Sequence, residues 1–213
     1  MKTETKMLGI GMTERNVPKV MSGAKTQTRR IIRDCYQYMP HGWSEDGTSY
    51  GFRAYSSEEV EFWKKSKHQI GDRLYVKEAL ERSAEKPPAF ALYKTDCKVV
   101  WDDQNEKRPW ASDAGEPWKN KVIPARYMPR SAARTFIEIT DVRCERIQDI
   151  KLCDIRAEGV RLSMFPPDAG IVKLGERYLF RALWDDTNGQ GAWERNDWTF
   201  AYTFKLIENG AER

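Results

Sequence analysis

The chain has 213 residues, with 36 Lys and Arg against 32 Asp and Glu, for a formal net charge of +4. Hydrophobic residues are 40% and aromatic residues 12% of the chain, which excludes a disordered sequence, and about 70% of the unfolded surface of such a chain is buried without staples. No apolar run reaches the ~18 residues of a membrane span, and the start, Met1-Lys2-Thr3-Glu4-Thr5-Lys6, lacks a secretory pattern.

Cys35, Cys97, Cys144 and Cys153 form no CxxC pair, and the histidines are His41 and His68 only. Neither a zinc site nor a disulfide framework is expected, and the reading is a reduced, cytoplasmic protein with no metal and no cofactor. The charge is unevenly spread. Residues 19–33 carry Lys19, Lys25, Arg29, Arg30 and Arg33 with no acid, and residues 119–134 carry Lys119, Lys121, Arg126, Arg130 and Arg134 with no acid. Two concentrated basic stretches suit a polyanion, and equally describe two solvated faces.

In chain order, Thr13 or Asn16 caps a short helix through Met21, ended by Gly23. Residues 26–32 read as a strand. Residues 34–70 hold turn signals at Pro40, Gly42 and Asp46-Gly47, with a helix expected near 57–67. Gly71-Asp72 is a turn, and Arg73-Leu74-Tyr75-Val76-Lys77 alternates as a strand does. Residues 83–130 read as an insertion, with Pro87, Pro88, Pro109, Pro117 and Pro124 and with Trp101, Trp110 and Trp118, ordered by packing or by a ligand. Thr135 to Thr140 alternates as a strand, and residues 148–158 read as a short helix ended by Gly159. Met164-Phe165-Pro166-Pro167 is a loop. Residues 177–187 form a second helix with Phe180, Leu183, Trp184 and Thr187 as a buried stripe, and residues 197–207 close the chain as an aromatic strand. Strands outnumber helices without βαβ alternation, which favours a small β-barrel with flanking helices.

No Walker loop, GxSxG, HExxH or GxGxxG occurs, and two histidines leave little room for a Ser-His-Asp system. The most unusual stretch is Gly23-Ala24-Lys25-Thr26-Gln27-Thr28-Arg29-Arg30. On a strand, Thr26 and Thr28 share one face and Gln27 and Arg29 the other, with Lys25 at the turn. A Thr hydroxyl needs a base to become a nucleophile, and a Lys amine serves only where burial or neighbouring cations lower its pKa. The alternative is an exposed basic strand that binds phosphate.

This stretch resembles the G-x-K-x-x-T-x-R signature of ASCH domains. Gly71-Asp72-Arg73-Leu74-Tyr75-Val76-Lys77-Glu78, Tyr127-Met128-Pro129-Arg130-Ser131-Ala132-Ala133-Arg134, Arg156-Ala157-Glu158-Gly159 and Phe180-Arg181-Ala182-Leu183-Trp184-Asp185 are similar, in order, to the larger prophage-type members. Leu80 departs from the pattern, which has Trp after the Gly-Asp strand. The resemblance implies an α+β, PUA-like small β-barrel of about five to six strands with flanking helices. It implies one domain over residues 1–213, with insertions at 34–70 and 83–130. Small bacterial members hydrolyse N4-acetylcytidine with a Lys, a Thr and a Glu, which fall on Lys25, Thr28 and Glu158. Glu78 is the competing acid. Thr26, Arg29, Arg30, Tyr75, Glu78, Arg126, Arg130 and Arg134 are the candidate contacts to substrate or nucleic acid, and the partner is a modified nucleoside or RNA. The alternative is an RNA-binding module or a ribonuclease that uses a basic cleft. A prophage assembly factor that binds protein alone is a third reading.

Overall fold

The computed structural model describes residues 7–35, 37–84, 89–101, 108–111, 118–162 and 175–207. The elements run β1 (Leu8–Gly11), α1 (Val17–Met21), β2 (Gln27–Ile31), β3 (Met39–Trp43), β4 (Ser49–Arg53), β5 (Phe62–Lys65) and β6 (Arg73–Lys77). There follow β7 (Leu80–Arg82), β8 (Ala91–Tyr93), β9 (Val122–Ile123), β10 (Phe136–Arg146), α2 (Leu152–Ala157), α3 (Gly175–Asn188) and β11 (Trp198–Ile207). Short 3-10 turns occupy Ala125–Tyr127, Arg130–Ala132 and Ile147–Asp149. The architecture is therefore mixed α+β and rich in strands. Pro87, Pro88, Pro117 and the 164–167 loop lie outside the described residues. No described helix is long and apolar enough to cross a membrane.

Five strands are hydrogen-bonded in the order β1-β6-β10-β11-β2, and the pairings among the described residues do not close this order into the expected barrel. The chain packs as two compact units, to both of which β10 and β11 contribute residues. One comprises Met1–Gly23, Asp72–Glu138 and Lys205–Arg213, the other Ala24–Gly71 and Ile139–Phe204.

In the first unit, β1 runs parallel to β6, with Leu8 opposite Leu74, and the start of β10 pairs antiparallel with β6 through Phe136 and Tyr75. A strand flanked on both sides has no free edge, and Leu74, Tyr75 and Val76 are all buried. Gly9 permits this. A Cβ there would lie 2.7 Å from Tyr75 Cζ and within 3.0 Å of the Lys77 stem. The described residues between 83 and 130 pack on one another and on Leu80. Strands β8, β7 and β9 form a small antiparallel sheet over Leu80, Ala91, Tyr93, Val100, Trp110 and Ile123. Trp110 meets Trp118 edge-on at 4.9 Å and donates its indole N–H to the Trp118 carbonyl.

In the second unit, β2 pairs antiparallel with β11, Thr28 opposite Tyr202. Residues 34–70 form the antiparallel sheet β3-β4-β5. Where a helix was expected near 57–67, the chain instead forms β5, with Phe62 stacked on Phe52 at 5.7 Å. The helix expected at 148–158 is a 3-10 turn followed by α2. In α3, Leu179, Phe180 and Trp184 are buried, but Thr187 is exposed, so the apolar stripe ends a turn early. Ile147, Ile150, Ile155 and Val160 complete that core.

Candidate active site

The second unit brings Lys25, just before β2, together with Gln27 and Arg29 on one face of β2. Gly23, at φ 73°, makes the turn out of α1 that only glycine takes cheaply. The Thr26 amide then donates to the Ala157 carbonyl at 2.8 Å, and the Phe204 amide to the Thr26 carbonyl at 2.8 Å. These two bonds tie the motif strand to the end of α2 and to β11.

The end of α2 is a Schellman motif. The Gly159 amide donates to the Arg156 carbonyl at 2.9 Å, the Val160 amide to the Ile155 carbonyl at 3.2 Å, and Gly159 has φ 80°. Glu158 is thereby held at the helix C-cap. Lys25 Nζ donates to Glu158 Oε2 and, at 3.1 Å, to the Glu158 carbonyl. The side chains of Lys25 and Glu158 are 3% and 9% exposed. Burial drives the Lys25 pKa below its ordinary 10.5, against the upward pull of Glu158, and the charges of Arg30 and Arg29 push it further down.

Lys25, Arg29 and Arg143 stand against Glu145, Asp154 and Glu158, with Asp141 3.2 Å from Arg143 and the charge of Arg30 also acting on Lys25. Arg29 Nη1 donates to Glu158 Oε1 at 3.0 Å, and Arg29 Nη2 to Glu145 Oε1 at 2.5 Å. Arg143 Nη2 donates to Asp154 Oδ1 at 3.0 Å. Gln27 Nε2 joins Asp154 Oδ1 at 3.2 Å and Thr203 Oγ1 at 3.0 Å. Burial raises the Asp154 pKa, but the hydrogen bonds and charges of Arg143, Gln27 and Arg29 prevail and leave it below the usual 3.8.

The exposed basic strand considered for this stretch is therefore not what forms. Lys25, Gln27, Thr28 and Arg29 are buried, and the cations face carboxylates of their own chain. Thr28 is 4% exposed and alternates to the face of β2 opposite Gln27 and Arg29. Thr26 is half-buried, and Arg30 is exposed. The sequence reading missed Gln27, Arg143, Glu145 and Asp154. The one signal for them was physical: a buried cationic strand needs acids from elsewhere in the chain.

The other candidates lie in the first unit. Tyr75 is buried, with the Lys77 ammonium 5.4 Å from its ring centre, so it offers no open stacking face. Glu78 has a fully buried side chain, and it accepts from Arg134 Nε at 2.9 Å and Nη2 at 2.7 Å. Arg134 Nη1 reaches Asp96 at 2.9 Å, and the guanidinium lies 3.7 Å from the Tyr93 ring centre. Burial pushes the Tyr93 phenol up to about 12. Arg134 is thus engaged inside the protein and is not a free phosphate contact, while Glu78 faces Arg134. Arg126 and Arg130 are exposed, beside an exposed Tyr127.

In a structural comparison the chain is similar to protein EF3133 from Enterococcus faecalis V583, described as family-model DUF984. The alignment covers 99% of this chain and 88% of that one, at 10% identity and a TM-score of 0.38, which carries no argument about function. No family model matches the chain, and no curated protein matches it.

Proposed function

We propose that the chain is a hydrolase that removes the acyl group from an N4-acylated cytidine, as the nucleoside or within a larger nucleotide. The reading joins the ASCH-like motif order to one observation, the buried Lys25–Glu158 pair. Thr28 Oγ attacks the acyl carbonyl carbon while the amine of Lys25, at the turn before β2 and so able to lean to either face, takes its proton. The oxyanion then collapses, the C–N bond breaks, and the Lys25 ammonium protonates the departing cytosine nitrogen. Water, deprotonated by Lys25, cleaves the acyl-Thr ester and releases the acid. Glu158 orients Lys25, and burial lowers the Lys25 pKa, the direction a base requires. Arg30, exposed beyond Thr28 on the same strand, is the candidate oxyanion donor, a role typically worth ~2.7–4 kcal/mol.

The test is chromatographic detection of cytidine from N4-acetylcytidine. Wild type releases cytidine, and Lys25→Met loses roughly 10²–10⁴-fold in kcat. Thr28→Ala abolishes turnover. Wild type without turnover, or Thr28→Ala with full turnover, refutes the reading.

A second reading is single-stranded nucleic-acid binding by the first unit. Lys119, Lys121, Arg126 and Arg130 are exposed, and the pairing that joins Arg82 N–H to the Lys121 carbonyl at 3.0 Å sets two exposed cations opposite each other. Like charges opposed on a ladder are unfavourable, and an anion relieves them. Four neutralised phosphates give a slope of about −3 in log K against log salt. A flat salt dependence refutes this reading.

A further inference from the structure

Arg29 entered the sequence reading as a substrate contact, and its environment leaves it little to offer one. The guanidinium is fully buried, at 0% side-chain exposure. Nε donates to Glu145 Oε1 at 3.0 Å, Nη1 to Gln27 Oε1 at 2.6 Å and to Glu158 Oε1 at 3.0 Å, and Nη2 to Glu145 Oε1 at 2.5 Å. Asp154 Oδ2 lies 3.7 Å from Nη2. Four of the five N–H groups of the guanidinium fork are engaged inside the chain.

The fork divides Glu158. Oε1 accepts from Arg29, while Oε2 accepts from Lys25. We propose that Arg29 is a positioning residue: it clamps Glu158 Oε1, so that Oε2 and the main-chain carbonyl of Glu158 are presented together to the Lys25 ammonium. Its relevance to catalysis rests on the reading of Lys25 as the base.

A planar fork does what a point charge cannot. It fixes the carboxylate in plane and in rotation, and it is itself fixed from the far side by Glu145. The charged groups facing Lys25 are Glu158 from the end of α2 and Arg29 and Arg30 from β2. Removing Arg29 deletes a cation beside Lys25 and gives it the whole of the Glu158 charge, so the Lys25 amine holds its proton more tightly. Removing the Glu145 charge acts in the opposite sense, because the field of Arg29 is then less neutralised.

The experiment is a ¹³Cε-lysine NMR titration of the full chain, with the Lys25 signal assigned by its loss in Lys25→Met. Arg29→Met moves the Lys25 midpoint up by about one pH unit, and Glu145→Gln moves it down. General loss of structure would not give opposite shifts. An unmoved midpoint in either folded variant, or shifts in the same direction, overturns the proposal. Arg29→Lys keeps the charge and loses the fork: a Lys25 midpoint displaced from wild type supports the clamp, and a midpoint equal to wild type leaves a charge effect alone and overturns it. When the same variants are assayed with N4-acetylcytidine, Arg29→Met lowers kcat at neutral pH and moves the limb of the profile that tracks Lys25 deprotonation upward, with KM unchanged. The titration needs no substrate, so the two ideas fail separately. Opposite shifts without hydrolysis in wild type remove the hydrolase reading and leave Arg29 in place. Hydrolysis with an unmoved midpoint removes Arg29 and leaves the hydrolase.

Discussion

Arg134→Met deletes the ion-pair partner of a buried carboxylate, Glu78. Glu78 is fully buried, and both its oxygens accept from Arg134. Breaking such a pair from one side costs about 3–5 kcal/mol, because an uncompensated charge stays behind. For a chain of this size that corresponds to a fall in Tm of roughly 6–20 °C. The other acid on Arg134, Asp96, has a side chain 29% exposed, and Asp96→Asn costs at most about 1 kcal/mol. Glu78→Leu combined with Arg134→Met removes both charges and recovers most of the loss. Thermal denaturation of the three variants and the double mutant gives the coupling energy directly. A Tm for Arg134→Met within about 2 °C of wild type, or a double mutant as unstable as the two single costs added, refutes the reasoning.

Gly159→Ala places a Cβ in a left-handed residue at φ 80°, costs about 1–2 kcal/mol, and loosens Glu158. Gly11→Ala, in a residue with open space around its Cα, stays within about 0.5 kcal/mol of wild type by the same melts. The Asp154 pKa lies below its unfolded value of 3.8, so its contribution is fully present above that pH and is lost as pH falls through the lower folded value. Asp154→Asn therefore flattens the dependence of the urea midpoint on pH below about 4, and an unchanged slope counts against the ion pairs described for it.

Strands β2, β6, β11 and the start of β10 were legible because each carries its own pattern of branched, aromatic and alternating residues, whereas β10 runs on past the expected Thr140 to Arg146, through the charged residues Asp141, Arg143, Glu145 and Arg146. Strand β5 was not legible. Residues 57–61 are rich in Ser and Glu, which imitates a helix start, and only the β4 partner with Phe52 makes a strand of Phe62–Lys65. The place of β6 between β1 and β10 was likewise set by neighbours distant in sequence. At the site, the motif carried Lys25 and Thr28, and the helix end carried Glu158. The basic run was legible as charge but not as buried charge. Its neutralising acids, Glu145 and Asp154, lie more than a hundred residues further along the chain. Charge counted over a sequence window is silent about such partners.

Because each buried cation around Arg29 faces a carboxylate, single-charge replacements there are penalised more than compensated pairs. Exchanging Arg29 for a neutral residue leaves Glu145 with Arg143 alone and Glu158 with Lys25 alone, and exchanging Glu145 leaves Arg29 facing Glu158 and Asp154. The tolerated steps are reciprocal ones, Arg29 with Glu145 or Arg143 with Asp154, each leaving the net charge of the cluster unchanged. Drift at these positions is thereby confined to correlated double changes, and the signature of this site in any set of related chains is covariation between β2, β10 and α2.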